Sequence, residues 1–211
     1  MTLEKARIAV FVSGGGTNLQ ALIDAQGSGK IPSGEISLVV SSNPQAYALT
    51  RAENAGIPTV TVSKKECGSQ GAFEAAIIKI LIEKKIDLIV LAGFMSILTE
   101  SFTSIYPRQI INVHPSLIPS FCGKGFYGLH MHEATLAYGV KVTGATVHYV
   151  NEIPDGGEII LQKAVDVLPG DTPQTLQKRV MEQAEWIILP QATEQVCREI
   201  LNKKNQNGES V

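Results

Sequence analysis

The sequence predicts an α/β protein with a mostly parallel, twisted sheet, helices on both faces and an added antiparallel hairpin. Three observations lead there. Runs of strand length, Ala6 to Val12 and Ile86 to Ala92, are almost continuously apolar, as strands covered on both faces are. Segments of helical period stand between such runs. Gly14-Gly15-Gly16 closes the first run and opens the first helix. This alternation belongs to Rossmann-like, doubly wound sheets.

Taken in order, Ala6 to Val12 is the first strand, and Asn18 to about Gln26 an amphipathic helix ended by Gly27 and Gly29. Ile36 to Val40 is the second strand. Ala46 to Ala55 is a helix stopped by Gly56, and Pro58 to Val62 a short third strand. Ala72 to Lys84 is helical, with Phe73, Ile77, Ile80 and Leu81 on one stripe. Ile86 to Ala92 and Ile110 to Val113 are the fourth and fifth strands. Met131 to Tyr138 is a helix ended by Gly139. Gly144 to Val150 and Glu158 to Val165, joined by the turn-rich NEIPDGG, form the hairpin. Thr172-Pro173 starts a helix, Thr at the N-cap and Pro at the first position, that runs towards Leu201 and is expected to break or kink at Pro190.

The 211 residues suit one domain over 1–201, with the polar stretch 202–211 expected as a disordered tail. A net charge of −2 argues against a nucleic-acid surface as the main task. Cys67, Cys122 and Cys197 are far apart, which favours neither a disulfide framework nor a thiolate metal site. No signal peptide or membrane-spanning run is read, so a cytoplasmic setting is expected.

Ser13 to Asn18 has the make-up of an anion-binding turn: glycines allow close backbone approach, and helix N-terminal amides attract negative charge. The dinucleotide pattern GxGxxG fails, because Leu19 occupies the third position. Val40 to Asn43 supplies no acidic residue for a ribose hydroxyl. A phosphate monoester fits better than NAD.

Ile110 to Phe121, IINVHPSLIPSF, is the candidate catalytic stretch. Asn112 and His114 are two apart, so on a strand they share a face. Pro115 and Pro119 end regular structure at the strand's carboxyl end, where open α/β sheets bind ligands. An amide N–H beside an imidazole suits stabilising an oxyanion while a proton moves. Asp155, in Pro-Asp-Gly-Gly, is the candidate third member, although the same residues make an ordinary turn. His148 alternates out of phase with Val147 and Tyr149 and is either a cleft residue or a plain strand histidine. His130 and His132 lack a ligand set for a metal, and none is expected.

Five motifs in order resemble the folate-dependent formyltransferases over about Ile8 to Trp186. They are SGGGTNLQ (Ser13 to Gln20), LAGFMSIL (Leu91 to Leu98), NVHPSLIP (Asn112 to Pro119), TGATVHYV (Thr143 to Val150) and DGGEIILQ (Asp155 to Gln162). The resemblance implies the formyltransferase fold and direct transfer of a formyl group from 10-formyltetrahydrofolate, as co-substrate, to the amine of glycinamide ribonucleotide in purine biosynthesis. It gives Asn112, His114 and Asp155 the catalytic role, and Gly16, Thr17, Asn18 and Glu185 contact with the ribonucleotide. It places Gln70, Met95, Ser96, Ile97, Leu98 and Asn112 at the folate. Family members often carry Arg where Ser96 and Gln70 stand, so the folate tail is expected to be held differently here. Lys124 is a candidate for the missing charge.

Members acting on tRNA carry a further C-terminal domain, and deformylases an N-terminal one. Here the loop begins at Ser13 and the chain ends about ten residues after its last expected helix, which favours the free ribonucleotide. The alternatives are a deformylase-like hydrolase and a non-catalytic nucleotide-binding module. Partners are small molecules, without nucleic acid or membrane, and the chain is expected as a monomer or homodimer.

Overall fold

The computed structural model describes residues 4–208. Its strands are β1 (Ala6–Val12), β2 (Gly34–Ser41), β3 (Thr59–Thr61), β4 (Leu88–Leu91), β5 (Ile110–His114), β6 (Val142–Tyr149) and β7 (Ile159–Asp166). They form one sheet in the order β3-β2-β1-β4-β5-β6-β7. Pairing is parallel from β3 to β5 and antiparallel between β5 and β6 and between β6 and β7. The expected fold, mostly parallel with an added hairpin, is the one observed.

The apolar runs have the expected cause. Ile8, Val10 and Val12 pack on one face against α1 (Thr17–Gly27), through Leu19 and Leu22, and against α8 (Trp186–Gly208), through Leu189 and Val196. Ala9 and Phe11 face the other way, against Phe73, Ile77 and Leu81 of α4 (Gln70–Glu83) and Phe102 of α5 (Glu100–Thr103). Period-2 alternation therefore runs through β1, hidden because both of its faces are buried. The remaining helices are α2 (Tyr47–Asn54), α3 (Lys64–Cys67), α6 (Leu129–Tyr138) and α7 (Pro173–Val180). The four-residue helices α3 and α5 are too short to leave a periodic signal.

Two helix starts carry side-chain caps, and the one at Thr172-Pro173 is the one expected. Ser69 Oγ accepts the Ala72 N–H at 3.1 Å and caps α4. Thr172 and Thr175 form a reciprocal capping box ahead of Pro173.

The last helix differs from its expectation in two ways. Pro190 does not break it, and α8 runs on to Gly208, past Leu201. Proline clashes with the carbonyl four residues back, here Trp186. That residue is the junction with a π-helical turn, Met181–Glu185, where α geometry is only beginning. The polar stretch expected as a disordered tail is thus helical from 202 to 208. Lys204 Nζ ties it down, 2.7 Å from Asp87 Oδ1. Residues 209–211 lie outside the described residues. None of the described helices is long and apolar enough to cross a membrane.

The hairpin depends on a close approach at Gly144. A Cβ there would lie 2.1 Å from the Lys163 carbonyl oxygen and 2.9 Å from Leu117. Gly144→Ala should lower unfolding stability by about 1–3 kcal/mol, as overpacking does. Urea denaturation checks this, and an unchanged midpoint would contradict it.

Candidate active site

β5 leaves the sheet at His114. Ile111 and Val113 point to the α1 side and Ile110 to the α4 side, so Asn112 and His114 fall on the α4 face. That is the shared face the two-residue spacing predicts. His114 is only 5% exposed, and both ring nitrogens meet the protein. Nε2 donates to the Phe121 carbonyl at 2.9 Å, and Nδ1 stands 3.5 Å from Asp155 Oδ2.

Two residues reach these positions through unusual backbone. Phe121 has φ +49°, and Asp155 φ +56°. Both lie in the left-handed region that non-glycine residues seldom adopt. The Phe121 ring packs edge-on to Phe126 and Tyr138, with centroids 6.2 and 5.9 Å away, which holds its carbonyl over His114. Asp155 Oδ2 also accepts the Gly123 N–H at 2.8 Å. Burial pushes the Asp155 carboxyl up; the neighbouring His148 and His114 rings, each when it carries a proton towards the carboxylate, and the Gly123 N–H pull it down, to below the usual carboxylate range.

Across β5 and β6, Asn112 stands opposite His148. Its Nδ2 is 3.2 Å from His148 Nε2. At the other wall, the Asn18 Nδ2 donates to Glu185 Oε2 at 2.7 Å, while Asn18 Oδ1 is buried with no partner among the described residues. Glu185 ends the π turn. Burial pushes its carboxyl up to about 7, against the opposing Asn18 hydrogen bond.

A cavity of ≈ 740 Å³ joins these walls, lined by Asn18, Met95, Asn112, His114, Asp155 and Glu185 together with the loop from Gly123 to Gly128. Ile97 lines it too, and Lys124 is the one Lys or Arg in its lining. A smaller cavity of ≈ 120 Å³ shares Ile97, Asn112 and Asp155 with it and adds Ser96, Leu98 and His148. Most residues expected at the site therefore converge. Three do not line either cavity. Gly16 is the left-handed N-cap of α1, with a Cβ position 2.6 Å from Ala48 Cβ. Thr17 lines a separate cavity of ≈ 470 Å³ with Arg51 and Trp186, and its Oγ1 is 3.8 Å from Met181 Sδ. Gln70 Nε2 donates to Glu74 Oε1 at 2.7 Å and the Ile97 carbonyl at 3.0 Å, tying α4 to the Met95–Leu98 loop.

Sequence reasoning missed His132 as a cavity residue. It is fully buried, both ring nitrogens lack a partner among the described residues, and burial together with repulsion from His114 pushes it down to about 4. Nothing in a helix-start histidine announces that. The Gly123 amide was equally invisible, because a backbone donor has no residue-type signature.

An open α/β sheet that gathers an amide, an imidazole and a carboxylate at the carboxyl edge belongs to the doubly wound class, whose sheets bind ligands at that edge. The comparisons narrow this. The formyl transferase family model matches residues 6–193, and the chain belongs to that family. It is 42% identical over 184 residues to the phosphoribosylglycinamide formyltransferase of Haemophilus influenzae, covering 87% of this chain and 84% of that protein. It is 46% identical over 195 residues to the trifunctional purine biosynthetic protein adenosine-3 of Gallus gallus, covering 92% of this chain but only 18% of the relative's length. The crystal structure of glycinamide ribonucleotide transformylase 1 from Symbiobacterium toebii superposes with a TM-score of 0.86 at 39% identity, covering 92% of this chain and 89% of that one.

The Glu185 environment gives a signed pH effect. Its folded pKa, about 7, lies above the ordinary carboxylate value. Its stabilising contribution is therefore full below about pH 4.5 and lost as pH rises through 7. Between those limits the stability difference between the wild type and Glu185→Gln should change by on the order of 3 kcal/mol. Denaturation curves across that range measure it, and a constant difference would contradict it.

Proposed function

We propose that this chain transfers the formyl group of 10-formyltetrahydrofolate to the amine of glycinamide ribonucleotide, a step of de novo purine biosynthesis, acting as a phosphoribosylglycinamide formyltransferase. The observation that carries the reading is the convergence of Asn112, His114 and Asp155 on one ≈ 740 Å³ cavity. We take residues 1–201 as one formyltransferase domain.

The folate supplies the activated one-carbon unit, and the chain's residues bind, orient and move protons. Asn112 Nδ2–H and His114 Nε2–H are the donors suited to the formyl oxygen as negative charge develops on it. In the present arrangement His114 Nε2–H is held by the Phe121 carbonyl, so that bond must be exchanged for the substrate's oxygen. Asp155 faces Nδ1 and stabilises the charged ring while the proton leaving the amine is passed to the folate nitrogen from which the formyl group departs. On this reading Met95, Ile97 and Leu98 form the apolar folate wall, with Ser96 and Asn112 beside them. Gln70 acts by holding that wall rather than by touching the folate. Asn18 and Glu185 address the ribonucleotide, and the turn at Gly16 and Thr17 presents backbone amides to its phosphate. Asn18 Oδ1, buried without a partner, supports this assignment.

Incubation with both substrates should yield tetrahydrofolate and formylated ribonucleotide in equal amounts. Tetrahydrofolate formed with water as the only acceptor would point to a hydrolase instead. His114→Ala should lower kcat by about 10²–10⁴-fold, the range of general acid–base contributions, while ribonucleotide affinity stays near wild type. Wild-type turnover in that variant would overturn the assignment.

A further inference from the structure

His148 is a buried titratable group, 1% exposed, that the proposed chemistry does not use. Its position is set by sheet register, which places it directly across from Asn112 on the α4 face. His148 Nδ1 lies 2.7 Å from the Tyr149 carbonyl oxygen. A carbonyl offers only lone pairs, so the proton sits on Nδ1. In the neutral ring, Nε2 is then an acceptor.

Two polar groups face that lone pair. Asn112 Nδ2 is 3.2 Å away, within hydrogen-bond reach, and Asp155 Oδ1 is 3.6 Å away, beyond it. The amide also carries the hydrogen that a lone pair needs, which an ionised carboxylate lacks. A side-chain amide can otherwise turn either end to a neighbour, and its hydrogen-bond partners decide which. A charged His148 would donate from Nε2 and would favour the opposite turn, with the Asn112 Oδ1 towards the ring.

We infer that His148 is a positioning residue for formyl transfer: as the neutral, Nδ1-protonated tautomer it fixes the Asn112 amide with Nδ2 towards its ring. One Nδ2 hydrogen is taken by His148, and the second remains for the formyl oxygen. Among the described residues, no protein acceptor competes for that second hydrogen. The inference rests on the proposed role of Asn112.

Four variants and one spectrum test it. His148→Phe fills the space but offers no acceptor. It should lower kcat by roughly 10- to 100-fold, the scale of a misplaced oxyanion donor, and leave both KM values within about twofold. His148→Gln, which restores an acceptor near Nε2, should recover most of the loss. In an Asn112→Ala background, His148→Phe should cost nothing further. Full multiplication of the two losses, or no rescue by His148→Gln, would overturn the positioning role. Wild-type turnover in Asn112→Ala alone would instead sink the role of Asn112 and the inference with it. Nitrogen-15 NMR of the imidazoles in the unsubstituted protein is independent of turnover and of variant folding. It should show His148 protonated at Nδ1 and bare at Nε2, and a proton on Nε2 would refute the inference.

Discussion

Asp155 is where the parts of the site meet. One carboxylate accepts the Gly123 N–H of the β5–α6 loop and faces His114 Nδ1 and His148 Nε2. Each contact starts from a different element: a loop, the end of β5 and the end of β6. Burying a carboxylate is costly unless such partners compensate it. Here the partners win, and the acid remains ionised although its side chain is mostly buried. Its left-handed backbone is a further cost, met by the surrounding turn. Without Asp155, Gly123 would lose its acceptor, and His114 would keep only its bond to Phe121.

The same convergence explains why the fold places chemistry here. The parallel strands β1, β4 and β5 end together, and β6 returns antiparallel beside them. The cavity therefore collects residues from the α1 start, the end of β5, the β6–β7 link and the π turn before α8. The π turn sets two of these side chains, Met181 and Glu185, on the cavity. Glu185 is held by Asn18 of α1, so this wall of the cavity is braced between the first helix and the π turn ahead of the last.

Much of the fold was legible in the sequence because its signals are local. The apolar run Ala6–Val12, the stop at Gly139 and the Thr172-Pro173 cap each dictate a conformation within a few residues. The pair Asn112 and His114 was legible for the same reason, since strand period fixes their shared face. What was hidden depends on register and on distant neighbours. Whether His148 meets Asn112 is decided by how β5 pairs with β6. The role of Gln70 depends on the Ile97 carbonyl, 27 residues away. Pro190 was misread because its clash falls at a π junction that no residue type marks. The tail beyond Leu201 was misread because Asp87, its anchor, lies on another part of the chain.

The Asp155 carboxylate stitches the loop after β5 to the histidine at the strand end. Amide hydrogen exchange at Gly123, compared between the wild type and Asp155→Asn, tests it most directly. The Gly123 amide should be protected in the wild type and should exchange markedly faster, with the change spreading through 121–128, when the carboxylate's charge is removed. Equal exchange rates in the two proteins would contradict it.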